Sequence, residues 1–172
     1  KITRAVSKIA LGLQDKFYLG NLNSKRDWGH AKDYVLMMWM ILQHDNPEDW
    51  VIATGRTTSI RDFVKMSFAY LGIELEFRGK GLEETASISS CSNSKYQLEI
   101  GKEVLAIDKR YFRPTEVDLL IGDSSKAREK LGWVPQISLE ELVNEMMSSD
   151  LKLFSRDKYL KDGGHEISNY YE

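Results

Sequence analysis

Apolar residues recur at steps of three and four positions in several segments of this chain, which is the spacing of amphipathic helices. Ser59 and Ser138 are suited to cap such helices, and Gly72 and Gly132 are placed as C-terminal stop signals. The run at 34–42 is apolar throughout, so a helix there would be apolar on all sides, which predicts a buried helix. Helices are therefore predicted at 2–13, 34–42, 59–71, 123–131 and 138–151.

Short apolar runs that stop at turn residues predict strands between these helices. They lie at 17–19, 50–54, 73–77 and 104–107. No strand, glycine-rich turn and helix stand at the front of the chain, so a complete doubly wound sheet is not expected. The pattern favours an α/β fold in which small sheets are mixed with helices.

Two stretches lack this periodicity. Residues 81–103 are rich in Ser, Gly, Glu and Lys, and we expect a mobile insertion there. Residues 152–172 are polar and predict a carboxy-terminal extension, which leaves residues 1–151 as one domain. Lys1 opens directly into a helical pattern without a cap, so we expect this chain to begin inside a longer protein.

Charge and cysteine content exclude several classes of partner. Lys and Arg are interleaved with Asp and Glu and give a net charge of −2, so neither nucleic acid nor a membrane is an expected partner. The single cysteine, Cys91, excludes an internal disulfide, so we expect a cytoplasmic protein. The three histidines lack metal-ligand spacing, so we expect no metal. A small molecule is the expected partner.

The residues that redox catalysis with a dinucleotide requires are not found in this sequence. Gly79 and Gly81 form only an isolated Gly-x-Gly, which is too little for a dinucleotide-binding turn. There is no Tyr-x-x-x-Lys pair and no Gly-x-Ser-x-Gly turn that would carry a nucleophile. We therefore assign no catalytic and no cofactor-binding residue to this chain.

Cationic side chains suited to a phosphorylated ligand are found at Lys1, Arg26 and Arg113, each next to a break in regular structure. Guanidinium groups match the geometry of phosphate oxygens, so arginines on two loops could clamp a diphosphate from two sides. Surface salt bridges with acidic residues such as Glu116 are the alternative, and spacing does not decide between them. Arg61, on the third predicted helix, is expected to face solvent.

Residues 26–35, Arg-Asp-Trp-Gly-His-Ala-Lys-Asp-Tyr-Val, resemble a segment of the extended short-chain dehydrogenases that act on nucleotide sugars. The Gly-His-Ala-Lys-Asp-Tyr form is similar to that of GDP-mannose 4,6-dehydratases. Further matching motifs follow in the same order, and the resemblance runs from Lys1 to about Leu151. These motifs lie at 51–55, 59–64, 111–118 and 130–135.

This resemblance implies roles for the residues that match the motifs of the family. Lys1, Arg26 and Arg113 would contact the diphosphate of the substrate. Glu116 would accept hydrogen bonds from the ribose hydroxyls, and an ion pair with Arg113 would be compatible with that role. The backbone of a further group would lie along the nucleotide: Phe17, Tyr18, Leu19, Gly20 and Asn21.

The resemblance also implies a parent enzyme with an NAD(P)-binding Rossmann-type core, which is largely missing here. The parent would convert GDP-mannose to GDP-4-dehydro-6-deoxymannose and water, with NADP bound by the missing amino-terminal domain, and would form a homodimer or homotetramer. The catalytic Tyr and Lys would precede Lys1, so this chain alone is expected to be inactive. The alternatives are a dehydratase or epimerase for another nucleotide sugar, and a non-catalytic nucleotide-sugar binding module.

Overall fold

The computed structural model describes residues 1–96, 98–117 and 119–167. Gln97, Asp118 and 168–172 lie outside the described residues. Helices and strands follow one another along the described ranges. In chain order they are α1 (Ile2–Ala10), β1 (Phe17–Leu19), β2 (Lys25–Asp27), α2 (Ala31–Leu42), β3 (Thr57–Ser59), α3 (Ile60–Ala69), β4 (Ile73–Arg78), a 3-10 turn (Gly81–Glu83), β5 (Thr85–Cys91), β6 (Glu103–Ile107), α4 (Ser125–Leu131) and α5 (Leu139–Asp162).

A four-stranded sheet with the order β1-β6-β5-β4 carries the main core. β1 and β6 run parallel, whereas β5 pairs antiparallel with both β6 and β4. β2 and β3 form a separate antiparallel pair. The predicted α/β architecture of small sheets and helices is confirmed.

The main core lies between this sheet and the helices α1, α3 and α5, which contact one another. α1 supplies Val6 and Ile9, α3 supplies Phe68, and the sheet supplies Ile88 and Leu105, all at most 1% exposed. Full burial of such a side chain contributes about 1.5–3 kcal/mol relative to leaving it in water. This packing holds β1 and β6 in place, and with them the loops that follow these strands.

The segment 81–103, where we expected a mobile insertion, contains β5, an interior strand of the sheet. The sequence did not predict this strand because only Ala86 and Ile88 of β5 are buried apolar residues, while its other positions are Ser, Thr and Cys. Such a strand has too weak an apolar alternation to be recognised from the sequence. The mobility of the rest of the segment, 92–102, stays a prediction, and Gln97 within it lies outside the described residues.

The strand predicted at 50–54 is also wrong. Residues 51–54 have no regular secondary structure and pair with no strand in the described part of the chain. Trp50 and Ile52 instead pack in a second, smaller apolar cluster with Met37 of α2 and with Trp133. An apolar run bounded by turn residues indicates burial, but it cannot show whether a partner strand lies within reach.

α5 continues to Asp162, past the domain boundary that we predicted at 151. Phe154 is 2% exposed, and the cationic groups of Lys8 and Arg4 lie 5.0 and 5.5 Å from its ring centroid. The boundary does not hold, because 152–162 pack onto α1 as part of the same helix. The stretch 152–162 is polar because most of its residues lie on the solvent-facing sides of a long helix.

α2, predicted as a buried helix, is buried on one side only. Met37 is fully buried, whereas the exposed fractions of Val35, Met38, Trp39 and Leu42 are 61, 55, 59 and 80%. The prediction failed because apolar composition alone does not tell which faces of a helix the described chain covers. No helix in the described ranges is long and apolar enough to cross a membrane.

Candidate functional site

Two loops meet at one edge of the main sheet. β1 and β6 are parallel neighbours, so their carboxyl ends lie side by side, and the loops that follow them, 20–24 and 108–117, begin at the same edge. The N–H of Asp108 donates to the carbonyl of Leu19 at 2.9 Å. Ligands of α/β proteins commonly bind outside the carboxyl ends of parallel strands, which makes this edge the candidate site.

Gly20 and Asn21 join the two loops. A Cβ atom at position 20 would lie 2.2 Å from the carbonyl oxygen of Tyr111, so only glycine permits this close approach. The side chain of Asn21 donates to the carbonyl of Arg113 and accepts from its N–H, both at 2.8 Å. The backbone of Arg113 is thereby fixed relative to the end of β1.

Lys1, the residue before α1, lies at the same edge. Its ammonium nitrogen is 3.9 Å from the centroid of the Tyr111 ring, which is a cation–π contact. The pKa of the Asp108 carboxyl is held below its usual range, mainly by hydrogen bonds from Arg110 and to a smaller extent by the charge of Lys1. The structure thus brings Lys1 to the loop that carries Arg113.

Arg26 and Glu116 form an ion pair that joins β2 to the second loop. Nη2 of Arg26 donates to Oε1 of Glu116 at 2.8 Å, and its Nη1 donates to the carbonyl of Lys25. The side chains are 30 and 15% exposed, so this charge-assisted bond is less screened by solvent than a fully exposed pair. The basic partner of Glu116 expected from the sequence is therefore corrected: Glu116 pairs with Arg26, not with Arg113.

Arg113 presents its side chain to solvent. Within the described ranges, no ion pair joins its guanidinium to another residue. Pro114 follows it and restricts the backbone of Arg113 to an extended conformation. A cation with a fixed backbone and unengaged donors is suited to bind an anionic ligand.

A cavity of about 260 Å³ lies between the two loops. Its lining includes three residues that the sequence analysis named, Gly20, Asn21 and Glu116. It also includes residues that the sequence analysis missed: Leu22, Asn23, Ser24, Gly81, Glu84 and Phe112. Lys1, Arg26 and Arg113 contact lining residues or their neighbours without lining the cavity themselves.

Glu84 corrects the expectation for Arg61, which is not solvent-facing. Nη1 of Arg61 pairs with the buried carboxylate of Glu84, and the guanidinium carbon lies 4.7 Å from the ring centroid of Phe77. Its Nη2 donates to Oδ1 of Asn23 at 2.9 Å. Arg61 therefore supports the wall of the cavity. No sequence signal pointed to this contact, because Glu84 lies in the segment expected to be a mobile insertion.

The residues of β1 differ in their exposure at this edge. Phe17 as a whole residue is 2% exposed, so both its side chain and its main chain are buried in this structure. Tyr18 is 40% exposed, and Leu19 is half-buried. Since β1 is the last strand of its sheet, one side of its backbone has no strand partner among the described residues.

A larger cavity, of about 600 Å³, opens elsewhere on the molecule. Trp28, Arg56, Arg128 and Trp133 are among its lining residues, and Arg56 is a weaker candidate for substrate contact from the family resemblance. Volume alone does not identify a functional site, and we favour the smaller cavity because Gly20, Asn21 and Glu116 line it and the predicted cations Lys1, Arg26 and Arg113 lie beside it. In the part of the chain that the structure describes, no group of His, Cys, Asp and Glu side chains could hold a metal ion.

Comparison with known proteins decides the family. Residues 1–146 match the family model described as GDP-mannose 4,6 dehydratase. The chain belongs to this family. The resemblance of its motifs to GDP-mannose 4,6-dehydratases is thereby confirmed over most of its length.

Relatives in the GDP-mannose 4,6-dehydratase family are much longer than this chain. The GDP-mannose 4,6-dehydratase of Yersinia enterocolitica serotype O:8 is 54% identical over 98% of this chain and 45% of its own length. That of Homo sapiens is 49% identical over 89% of this chain and 39% of its own length. The chain thus spans less than half of these relatives, and it aligns with their carboxy-terminal part.

Solved structures show the same fold at low sequence identity. RMD from Pseudomonas aeruginosa, complexed with NADPH, has a TM-score of 0.64 and 16% identity, and covers 88% of this chain and 41% of its own. UDP-glucose 4-epimerase from Bifidobacterium longum, in complex with NAD+ and UDP, has a TM-score of 0.58 and 16% identity. The match covers 92% of this chain and 41% of the epimerase chain. This member of the GDP-mannose 4,6-dehydratase family therefore has the predicted fold of part of an extended short-chain dehydrogenase.

Proposed function

We propose that this chain is the substrate-binding part of a GDP-mannose 4,6-dehydratase and that it orients GDP-mannose at the edge where loops 20–24 and 108–117 meet. The observation that carries the proposal is the meeting of Lys1, Arg113 and the Arg26–Glu116 pair around that edge. All of them lie in the range that matches the family. Their chemistry suits a nucleoside diphosphate, which carries both phosphates and ribose hydroxyls.

Each of these side chains has a distinct part in the proposed binding. The exposed guanidinium of Arg113 and the ammonium of Lys1 bind the diphosphate oxygens. Arg26 engages one oxygen of Glu116 and orients that carboxylate, whose remaining lone pairs accept hydrogen bonds from the ribose hydroxyls. Further N–H donors of Arg26 remain for the diphosphate. The backbone of β1, with Gly20 and Asn21, lies along the nucleotide.

The reaction belongs to the parent protein, a lyase. GDP-mannose is oxidised at C4, loses water across C5 and C6, and is reduced at C6, which gives GDP-4-dehydro-6-deoxymannose. NADP supplies the hydride acceptor and donor for these steps. This chain holds the sugar nucleotide in one orientation, and such orientation can supply a large share of a rate enhancement.

The described residues do not fit NADP itself. Gly79 and Gly81 lead into a 3-10 turn, whereas a dinucleotide-binding turn joins a parallel strand to the N-terminus of a helix. The cofactor and the catalytic residues are therefore assigned to the amino-terminal part of the parent, which we propose to be a cytoplasmic homodimer or homotetramer.

A chimera tests the proposed function. The part of the Yersinia enterocolitica relative that precedes the aligned region is joined to Lys1 of this chain. With NADP and GDP-mannose, the chimera should form GDP-4-dehydro-6-deoxymannose, detected by NMR, whereas the 172-residue chain alone should not. GDP-glucose and UDP-glucose in the same assay test the alternatives. A chimera that epimerises UDP-glucose and leaves GDP-mannose unchanged would refute the proposal.

A further inference from the structure

The aromatic ring of Tyr111 lies next to two cations at the candidate site. The ammonium nitrogen of Lys1 is 3.9 Å from the ring centroid, and the guanidinium carbon of Arg110 is 5.7 Å from it. The face of an aromatic ring attracts cations that lie within about 6 Å of its centroid. Tyr111 is 46% exposed, so a ligand in solution can reach the cations beside its ring.

Contacts on both sides fix the backbone that carries this ring. The N–H of Tyr111 donates to the carbonyl of Asp108 at 2.9 Å, which closes a turn at the start of the loop 108–117. The carboxylate of Asp108 strengthens this turn, because it accepts from the N–H of Arg110 at 2.8 Å. On the other side, the carbonyl oxygen of Tyr111 packs against Gly20, where an added Cβ atom would lie 2.2 Å away. The ring therefore projects from a defined point of the loop.

The ammonium group of Lys1 depends on this ring for its position. Within the described ranges, no hydrogen bond or ion pair joins the ammonium to another residue. A lysine side chain is a flexible stem, and ordering it on a ligand costs conformational entropy. A ring that already holds the ammonium lowers this cost, because fewer conformations remain to be lost when a ligand binds.

Arg110 differs from Lys1 because a carboxylate already engages it. Its Nη2 donates to Oδ2 of Asp108 at 2.7 Å, and its Nε lies 3.2 and 3.1 Å from Oδ1 and Oδ2. The charge of Asp108 thus offsets that of Arg110, and Asp108 forms no ion pair with Lys1. Of the two cations beside the ring, Lys1 is the one whose charge remains for an anionic ligand.

We propose that Tyr111 is a positioning residue for the diphosphate: its ring holds the ammonium of Lys1 at the edge where Arg113 also lies. Both cations then take their positions from one loop, since Asn21 fixes the backbone of Arg113 two residues further on. Tyr111 acts through Lys1 and does not itself bind the phosphates. The inference rests on the proposed binding of GDP-mannose at this edge, and it gives a role to a residue for which the family resemblance implies none.

The contact between Lys1 and Tyr111 is tested first without a ligand. An aromatic ring shifts the NMR signals of protons above its face upfield, so the ε-methylene protons of Lys1 should show such a shift in the 172-residue chain. Tyr111→Phe should keep the shift because it keeps the ring, whereas Tyr111→Leu should abolish it. A Lys1 signal that is the same in Tyr111→Leu and in the unmodified chain would overturn the proposal.

Binding of GDP to the chimera described above tests what the contact does, because GDP carries the diphosphate and has no sugar to react. In isothermal titration, Tyr111→Leu should weaken GDP binding by roughly 3- to 10-fold, the range expected for the loss of a partly exposed cation–π contact. Tyr111→Phe should bind like the unmodified protein. When Lys1→Met is already present, Tyr111→Leu should have no further effect, because no ammonium remains to be positioned.

Tyr70→Leu is the matched control for the loss of a half-exposed ring. Tyr70 is 41% exposed at the end of α3 and does not line the candidate site, so this variant should keep the affinity for GDP. An unchanged affinity in Tyr111→Leu, or an equal loss with and without Lys1→Met, would overturn this inference alone. A chimera that does not bind GDP would overturn the proposed function, and this inference with it.

Discussion

At the scale of single residues, Arg113 matters most for the proposed binding because Asn21 fixes its backbone while its guanidinium forms no ion pair with any residue that the structure describes. Arg113→Ala in the chimera should weaken GDP-mannose binding by roughly 10- to 150-fold, since one charge-assisted hydrogen bond is worth about 1.5–3 kcal/mol. Isothermal titration measures the change. Arg78→Ala is the control, because the side chain of Arg78 is 74% exposed and pairs with Glu76 on the same strand.

The control variant should bind within a few-fold of the unmodified protein, as an exposed pair is worth less than about 1 kcal/mol. Equal losses in the Arg113 and Arg78 variants would indicate a general charge effect and not a clamp. Arg61→Ala is unsuitable as a control, because it would leave the buried carboxylate of Glu84 without its partner.

Gly20 tests whether the close approach of the two loops is structural. A methyl group at position 20 would lie 2.2 Å from the carbonyl oxygen of Tyr111, so Gly20→Ala has to push the loops apart. Overpacking of this kind costs about 1–3 kcal/mol, which urea unfolding of the chain would detect. Gly163→Ala is the matched control: its added methyl would have only ordinary contacts at 3.4 Å, so its effect should stay below about 0.5 kcal/mol. Equal unfolding free energies for the two variants would contradict the close approach.

Motifs in the sequence predicted candidate residues for the site but not the contacts that these residues make with one another. The ion pair between Arg26 and Glu116 joins positions 90 residues apart, and the pair between Arg61 and Glu84 joins a helix to a segment that looked irregular. Both pairs depend on how the strands are placed, which periodicity does not encode. The sequence could therefore name Arg26 and Glu116 as ligand contacts without showing that they contact each other.

At the scale of elements, α5 has the strongest local signal in the chain. Ser138 and Glu141 form a capping box: the side chain of Ser138 accepts from the N–H of Glu141, and the side chain of Glu141 accepts from the N–H of Ser138. The backbone N–H and the hydroxyl of Ser138 both donate to the Glu141 carboxylate, and these two hydrogen bonds lower the pKa of Glu141. Ser138→Ala should destabilise the chain by about 1 kcal/mol in urea unfolding.

Ser148→Ala provides the comparison on the same helix. Ser148 is an exposed position inside α5, where alanine is at least as favourable as serine, so stability should stay unchanged or rise slightly. If both serine variants lost the same free energy, the capping box would not be what holds the start of α5.

Elements with a local signal were predictable, and those made by distant pairing were not. Gly132 ends α4 with a φ of 67°, the left-handed conformation that glycine adopts without strain, and the sequence placed it there. β2 and β3 were missed because they are short, polar strands that exist through the pairing of Arg26 with Thr58 and its neighbours. β5 was missed for the same reason, since its neighbours in the sheet, not its own pattern, determine it.

At the scale of the whole molecule, this chain is a folded core that carries two unlike surfaces. One is the polar, cationic edge around loops 20–24 and 108–117, which we propose to bind a sugar nucleotide. The other is the outer face of α2, where Val35, Met38, Trp39 and Leu42 are each at least 55% exposed. The sequence predicted the first through motifs, whereas the second required knowing which apolar residues the fold leaves exposed.

The account depends most on where GDP-mannose binds, and hydrogen exchange of the chimera with and without GDP-mannose measures this directly. Bound ligand should slow exchange by several-fold in residues 17–24 and 108–117, because it orders the loops that carry its contacts. Residues 133–139, which line the larger cavity, should exchange at the same rate in both samples. Protection confined to 133–139, or no protection in either loop at saturating GDP-mannose, would contradict the account.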